Sequence, residues 1–212
     1  MNIHKGNVVV LGAGGHAKVV IATLLEVGYK VTALLDDDKE KVGYEIFHVP
    51  VVGGFDRLAD YGFCQALIAL GDNQKREATA LSFEGCYDWV TVVHPTAVVH
   101  KSVKIGKGTI VFAGTVIQPD TSIGNHVIIN TGATVDHDCR IGNFVHIAPG
   151  VHLAGNVSIS DGAFLGIGTS VIPGKTIGKK AVVGAGSLVI NDIPSFSKVA
   201  GVPARPIRKG LI

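Results

Sequence analysis

Aliphatic residues recur at every sixth position through the second half of the chain. From Val93 to Val189, seventeen consecutive positions of this repeat hold valine, isoleucine or leucine, in one phase and without insertion. A period of six fits neither the 3.6-residue turn of a helix nor the two-residue repeat of a flat strand. A second position, four residues after each aliphatic, is nearly always small or β-branched, from Ala97 to Ile193. The pattern predicts short strands joined by tight corners, with both positions facing inward.

Glycine and aromatic contents agree with such a repeat. The chain has 28 glycines and only 6% aromatic residues, which fits a core built from small aliphatic side chains. Glycine takes backbone angles that a Cβ would forbid, as tight corners require. Three hexapeptides would close one triangular coil, so seventeen make between five and six coils, each hydrogen-bonded to the next. We therefore expect a parallel β-helix and a C-terminal tail over residues 92–212. Glycines directly follow the repeated aliphatic at Gly106, Gly124, Gly142, Gly166, Gly178 and Gly184.

The first 91 residues follow a different pattern, in which strands and helices alternate. Residues 7–11 form an apolar run typical of a buried parallel strand. Residues 18–27 predict a helix with one apolar side, and residues 30–35 predict a second strand. A further strand over 65–70 leads into a helix near Gln74. We expect a small α/β, Rossmann-like half-domain over residues 1–91.

The turn after the first strand is similar to a dinucleotide fingerprint. It reads GAGGHA, with Gly12, Gly14 and Gly15, and two aspartates, Asp36 and Asp37, follow the second strand. Glycines let backbone amides approach a phosphate, whose negative charge the helix dipole favours. The fingerprint alone suggests NAD, but the segment is too short for two mononucleotide halves, so one nucleotide diphosphate fits better. The alternative is that the glycines serve only the close packing of strand and helix.

Composition and charge exclude several classes of protein. With 47% hydrophobic and 17% charged residues the chain is not a disordered one, and a net charge of +2 gives no basic face for nucleic acid. No apolar run approaches the roughly 18 residues of a membrane span. The N-terminus does not read as a signal peptide, so we expect a cytoplasmic protein. Three widely spaced cysteines predict neither a disulfide framework nor a cysteine zinc site.

One histidine stands out as a candidate general base. His137 belongs to neither inward position of the repeat, so we expect it outside the coil, between Asp136 and Asp138. A carboxylate bonded to one imidazole nitrogen fixes the tautomer and raises the basicity of the other nitrogen. The alternative is that His137 is simply an exposed polar residue.

Together these features resemble the sugar acyltransferase family of hexapeptide-repeat acetyltransferases. The resemblance rests on GAGGHA, the two aspartates, GDN at 71–73, HPTA at 94–97 and the hexapeptides. That family includes sialic acid O-acetyltransferases and the nucleotide-amino-sugar N-acetyltransferases of bacillosamine and perosamine pathways, which serve polysaccharide biosynthesis. It implies a left-handed β-helix and a homotrimer with acetyl-CoA bound between subunits, while the small domain holds the nucleotide sugar.

The resemblance also implies residue roles. His137 would be the general base and Asp138, where the family carries glutamate, its orienting group. The implied acetyl-CoA-binding residues are Asn130, His146, Gly155 through its backbone N–H, Ile167, Ala185 and Arg205. Further candidates for the CoA phosphates are Arg208, Lys179 and Lys180, for which solvated surface charge is the alternative. The implied nucleotide-sugar-binding residues are Gly12, Gly14, Gly15, His16, Asp36, Asp37, Gly71 and Asp72.

The resulting hypothesis is an acetyl-CoA-dependent N-acetyltransferase. Its substrate would be the amino group of a nucleotide-linked amino sugar, a 4-amino-4,6-dideoxy hexose, which attacks the thioester directly. The alternatives are an O-acetyltransferase of sialic acid or another sugar hydroxyl, a metalloenzyme similar to γ-carbonic anhydrase, and a non-catalytic β-helix. We expect no metal, because residues about eighteen apart should stack and His137, His146 and His152 do not share a column. A metal site with ligands from two subunits is the alternative.

Overall fold

The computed structural model describes residues 5–207, so that residues 1–4 and 208–212 lie outside the description. The chain divides into two compact units, residues 1–95 and 96–212. Within the described part of the chain, no helix has the length and apolar character needed to cross a membrane.

The first unit is a twisted sheet with helices, in the strand order β3-β4-β2-β1-β5-β6. All its strand pairs are parallel except β3 with β4. Helix α1 spans Gly15–Glu26 and α2 spans Asn73–Ser82, with two 3₁₀ helices at Lys39–Lys41 and Phe55–Tyr61. The strands are β1 Gly6–Leu11, β2 Tyr29–Leu35, β3 Glu45–Ile46, β4 Val49–Gly53, β5 Gln65–Ile68, β6 Asp88–Trp89 and β7 Val92–Val93.

This architecture confirms the Rossmann-like half-domain. Helix α1 begins at Gly15, three residues before the predicted start, so the glycine turn leads directly into the helix. The order β4-β2-β1-β5 reverses direction on either side of β1. In open α/β sheets, ligands bind at the carboxyl ends of the strands around such a reversal. The fold therefore places the loops after β1 and β5 at the expected binding edge.

The second unit is the predicted left-handed parallel β-helix. Its strands are β8 Val98–Val99, β9 Lys104–Ile105, β10 Ile110–Val111, β11 Val116–Ile117, β12 Ser122–Ile123, β13 Ile128–Ile129, β14 Thr134–Val135, β15 Arg140–Ile141, β16 His146–Ile147, β17 His152–Leu153, β18 Ser158–Ile159, β19 Phe164–Leu165, β20 Ser170–Val171, β21 Thr176–Ile177, β22 Val182–Val183, β23 Leu188–Val189, β24 Lys198–Ala200 and β25 Arg205–Pro206.

Three flat faces make up the prism. The first face carries β10, β13, β16, β19, β22 and β24, the second runs from β8 to β23, and the third from β9 to β21. The register repeats every eighteen residues: Ile128 pairs with His146, and His146 pairs with Phe164. As the period predicts, His152 lies between Thr134 and Ser170.

Both repeated positions point inward and form the core. Ile129, Ile147 and Leu165 are fully or almost fully buried on the first face. Buried hydroxyls at the second position are satisfied by backbone carbonyls fifteen residues on: Thr109 Oγ1 donates to Gly124 O at 2.8 Å and Thr121 Oγ1 to Asp136 O at 2.9 Å. Because a buried hydroxyl without a partner is costly, threonine fits this position only through such bonds.

Candidate functional site

A cavity of about 680 Å³ opens at the carboxyl edge of the first unit's sheet. It lies beside the N-termini of α1 and α2, where backbone N–H groups and helix dipoles favour an anion. Most of the predicted nucleotide-sugar residues line it, so the fold gathers them at one edge. The lining residues are Gly14, Gly15, His16, Asp36, Asp37, Asp38, Lys41, Phe55, Ala69, Leu70, Gly71, Asp72, Lys75, Ala78 and Thr79.

The three fingerprint glycines differ in their local surroundings. Gly12 has a φ of +110°, and a Cβ there would stand 2.9 Å from Ala69 O, so the close packing of backbones requires glycine. It is buried instead of facing the cavity. At Gly14 and Gly15 a Cβ would meet nothing within 4 Å. Packing thus accounts for Gly12 but not for Gly14 and Gly15, which leave open space beside the start of α1.

Asp36 stabilises the glycine turn. Its Oδ2 accepts hydrogen bonds from Ala13 N at 2.8 Å and from Lys41 Nζ at 3.0 Å, while Oδ1 accepts from Asp38 N at 3.0 Å. Burial opposes ionisation of this carboxyl, but the bonds from Asp38, Ala13 and Lys41 outweigh it and hold the pKa below the ordinary value. Both oxygens of Asp36 are therefore engaged by the protein.

A buried arginine supports the second loop at the cavity. Arg76, only 1% exposed, donates from Nη1 to Leu70 O at 2.9 Å and from Nη2 to Asn73 Oδ1 at 2.7 Å. Burial lowers its pKa to about 10, against the opposing effect of Asp72. Sequence reasoning missed Arg76. An arginine three residues after GDN was the available signal.

His16 and Asp72 flank the same loop. Burial, and then the charge of Arg76, lower the pKa of His16 to about 4, so its ring is neutral near pH 7. The side chain of Asp72 caps α2 by accepting a hydrogen bond from Lys75 N at 2.9 Å. Both residues lie at the cavity wall, and the cavity thus joins two helix N-termini with a neutral imidazole.

In the second unit, His137 and Asp138 lie together at the corner between the second and third faces. His137 Nδ1 is 2.8 Å from Asp138 Oδ2, and both side chains are 59% exposed. Asp138 has a φ of +59°, a left-handed conformation that aspartate tolerates better than most residues. The bond to Asp138, and then the charge of Asp136, raise the pKa of His137. With Nδ1 donating to the carboxylate, Nε2 keeps its lone pair as a base.

Gly155 lies one coil above His137. A Cβ on Gly155 would stand 2.6 Å from Nε2 of the imidazole, so the ring occupies the space that glycine leaves. Asn156 N also donates to His137 O at 2.9 Å, which ties the two coils together at this corner. The structure thus brings three of the predicted residues, His137, Asp138 and Gly155, into one group.

The other predicted acetyl-CoA residues lie on the first face and along its corner with the second face. Asn130 Nδ2 is 3.3 Å from His146 Nε2, and the His146 ring meets the Phe164 ring edge to face. Ile167 and Ala185 follow at the turns of this corner in later coils, with Ile167 exposed. One chain therefore presents two separate groups, and does not bring Asn130 and His146 to the corner that carries His137.

The C-terminal tail reaches the same corner as Ala185. Gly201 N donates to Ser187 Oγ at 3.2 Å, and Ala204 N donates to Leu188 O at 2.8 Å. Arg205 follows directly, is exposed, and opens β25. Lys179 and Lys180 instead lie at the corner between the third and first faces, and Arg208 lies outside the described residues.

Possible metal ligands are dispersed over the described residues. Nowhere in residues 5–207 do three histidine, cysteine or carboxylate side chains converge as metal ligands would. Three histidines of the β-helix have other partners: His137 contacts Asp138, His146 contacts Asn130, and His152 Nδ1 is 2.9 Å from Thr134 Oγ1.

Two family models match the chain in succession. The PglD N-terminal domain matches residues 7–82, and the bacterial transferase hexapeptide (six repeats) matches residues 120–155. The first match covers the cavity of the first unit and its sheet except for β6, and the second covers the coils that carry Asn130, His137 and His146.

Solved structures match nearly the whole chain. A mutant of perosamine N-acetyltransferase from Caulobacter crescentus, in complex with CoA and GDP-perosamine, is 42% identical with a TM-score of 0.91, covering 97% of this chain and 98% of that one. The acetyltransferase domain of PglB from Neisseria gonorrhoeae, in complex with acetyl coenzyme A, is 35% identical with a TM-score of 0.88. That match covers 95% of this chain and 98% of the domain.

Curated relatives match over shorter segments. UDP-N-acetylbacillosamine N-acetyltransferase from Bacillus subtilis is 43% identical over 114 residues, which are 50% of this chain and 51% of the relative. The chain spans about half the length, or less, of the curated relatives it matches. With the near-complete match to perosamine N-acetyltransferase, these findings show that the chain belongs to the sugar acyltransferase family of hexapeptide-repeat acetyltransferases.

Proposed function

We propose that this chain is an acetyl-CoA-dependent N-acetyltransferase of a nucleotide-linked amino sugar, specifically a 4-amino-4,6-dideoxy hexose. The observation that carries the proposal is the His137–Asp138 pair, whose Nδ1–Oδ2 distance is 2.8 Å, next to Gly155 of the following coil. Supporting it, the relatives named above are N-acetyltransferases of nucleotide amino sugars or bind acetyl coenzyme A.

His137 acts as the general base in this reaction. The nitrogen of the sugar amine attacks the thioester carbonyl, a C–N bond forms, the C–S bond breaks, and CoA leaves as a thiolate that the protonated His137 then converts to the free thiol. Nε2 of His137 takes the proton lost by the amine, while Asp138 holds Nδ1–H and stabilises the resulting imidazolium. The raised pKa of His137 makes it a stronger base than an ordinary histidine.

The N–H of Gly155 stabilises the developing oxyanion. Among residues 5–207, no group accepts a hydrogen bond from this N–H, and Gly155 lies against the imidazole of His137. Backbone donors of this kind, fixed before the reaction, stabilise charge as it forms in the transition state. Base and donor then lie on one corner, within reach of the same carbonyl.

The pantetheine arm of acetyl-CoA fits the corner between the first and second faces. Gly132, Gly150, Gly168 and Gly186 occupy its turns, and a Cβ at each would meet nothing within 4 Å. The corner is thus open along four coils, next to Asn130 and Ala185. Because this corner and His137 are separate on one chain, the complete site requires a second copy, and we assign the active assembly as a homotrimer.

The proposal is tested by following thiol release from acetyl-CoA with purified protein and a panel of nucleotide 4-amino sugars. We expect release that depends on the amino sugar, that falls about 10²- to 10⁴-fold in His137→Ala, and that leaves acetyl-CoA affinity within a few fold. Release at the wild-type rate in His137→Ala would remove this residue as the base.

Sialic acid and a nucleotide sugar bearing a hydroxyl instead of the amine are the matched controls for O-acetylation. Turnover with these substrates and none with amino sugars would contradict the proposal. Asp120→Asn is the matched protein control, because Asp120 occupies the equivalent corner one coil earlier with a φ of +58°. We expect this variant to keep wild-type turnover.

A further inference from the structure

The second face of the β-helix lies between the two corners that build the proposed site. His137 lies at its corner with the third face, and Asn130 lies at its corner with the first face. In a symmetric trimer, each copy offers its His137 corner to one neighbour and its Asn130 corner to the other. The second face joins these two contacts, so it looks either towards the threefold axis or away from it.

The outer surface of the second face is suited to contact with other copies. Its outward positions carry aliphatic, hydroxyl or imidazole side chains: Val98, Val116, Thr134, His152, Ser170 and Leu188. The outward positions of the third face, by contrast, include the exposed charges of Lys104 and Arg140. Because the centres of protein interfaces are poor in charged residues, the third face is the one that suits solvent.

The remaining corner, between the third and first faces, excludes the opposite orientation. If the second face looked outward, this corner of every copy would point at the axis. It carries one aspartate, Asp161, and three lysines, Lys107, Lys179 and Lys180. Three copies of this corner would bring a surplus of positive charge together, which is unfavourable. The second face therefore looks towards the threefold axis.

His152 occupies the middle of this face and has the surroundings of a metal ligand. It is exposed on the single chain, between Thr134 and Ser170 of the adjacent coils. Its Nδ1 is 2.9 Å from Thr134 Oγ1. When this hydroxyl accepts Nδ1–H, the lone pair of Nε2 is left for a ligand. Histidines that bind metals are characteristically held in this way, by an oxygen at the other ring nitrogen.

Threefold symmetry supplies the ligands that one chain lacks. Building on the homotrimer of the proposed function, we infer that three copies of His152 bind one divalent transition-metal ion on the threefold axis. Three imidazole nitrogens form a ligand set that suits zinc, and water completes the coordination. The hydroxyls of Thr134 and Ser170, one strand spacing of about 4.8 Å to either side, are placed to hydrogen-bond that water. The ion links the three subunits.

Elemental analysis of the full-length protein, prepared without a histidine tag, tests this inference. The protein is freed of metal with a chelator, dialysed against zinc sulfate, and then examined by light scattering for its oligomeric state. We expect one zinc ion for every three wild-type chains, and none in His152→Asn. Because zinc binds the folded trimer, it should also raise the melting temperature of the wild type but not that of the variant.

His100→Asn is the matched control. His100 is also exposed and its Nδ1 also lies 2.9 Å from a hydroxyl, that of Ser102, but it is at a corner and not on the second face. This variant should keep one zinc ion per three chains. Zinc retained by His152→Asn at the wild-type stoichiometry would overturn the inference.

The same measurements separate this inference from the proposed function. A trimer that transfers acetyl groups but binds no zinc would overturn the axial metal site alone. A trimer that binds zinc through His152 but transfers no acetyl group to any amino sugar would overturn the proposed function alone. A chain that stays monomeric would overturn the metal site together with the homotrimer.

Discussion

The imidazole of His137 lies directly against Gly155, with Nε2 2.6 Å from the point where a Cβ on residue 155 would stand. The contact joins the candidate base to the candidate oxyanion donor in the next coil. It also accounts for the glycine at position 155, because the ring occupies the space that a side chain there would fill.

Gly155→Ala should therefore displace the His137 ring and lower turnover by about 10²-fold, as small misplacements of catalytic groups do. The added methyl meets a side-chain ring that can rotate away, so we expect the melting temperature to change little. Steady-state kinetics and thermal melting measure the two effects. In a His137→Ala background the same glycine change should have no further effect on rate, and equal losses in both backgrounds would contradict the account.

Asp138→Asn should change the pH profile as well as the rate. The bond to Asp138 raises the pKa of His137, and the protonated ring cannot accept a proton, so wild-type activity falls on the acid side near that raised pKa. Removing the charge lowers the pKa, so the acid limb should move to lower pH while maximal turnover falls about 10²- to 10⁴-fold. Asp120→Asn should leave the acid side of the pH–activity profile unchanged. If Asp138→Asn also leaves it unchanged, the assignment of Asp138 as the partner of His137 is contradicted.

Subunit complementation tests whether two copies build one site. His137 and His146 belong to different groups on the chain, so His137→Ala and His146→Ala should each be nearly inactive alone. Co-assembly of the two variants should restore partial activity, because some neighbouring pairs then combine an intact His137 with an intact His146. Differently tagged chains would confirm that mixed assemblies form. Mixed assemblies that stay inactive would place the whole site within one copy.

The buried ring of His16 should make stability depend on pH. Its folded pKa is about 4, whereas an unfolded histidine titrates near 6.5, so the unfolded state binds more protons between these values. Stability should accordingly fall as pH decreases from about 6.5 towards 4. In His16→Gln the loss over this window should be smaller, as measured by urea midpoints at several pH values. His48→Asn, at an exposed hairpin position, should retain the wild-type loss.

The β-helix could be predicted almost completely, because each hexapeptide repeats the same local requirement. The period alone placed Ile128 and Phe164 on either side of His146, and the observed register agrees. The left-handed winding of the coils, in contrast, was predicted from the family resemblance, because the six-residue period does not determine handedness. Sequence spacing works here because contacts in a coil are set by a fixed eighteen-residue offset.

The first unit was predicted less fully, because its contacts have no fixed offset. The hairpin of β3 and β4 was missed, and so was the burial of Arg76. Asp36 was predicted to bind the nucleotide sugar, and it does line the cavity, but the sequence did not show that its oxygens accept hydrogen bonds from Ala13 and Lys41. Which donors a carboxylate binds depends on the loops that fold over it, and no spacing rule gives that.

The most direct test of the central claim is the identity of the product. Mass spectrometry of a nucleotide 4-amino sugar incubated with the protein and acetyl-CoA should show one added acetyl group. That group should resist hydroxylamine, because an amide survives the treatment that cleaves an ester. An unmodified sugar across the whole panel, or an acetyl group that hydroxylamine removes, would contradict the assignment as an N-acetyltransferase.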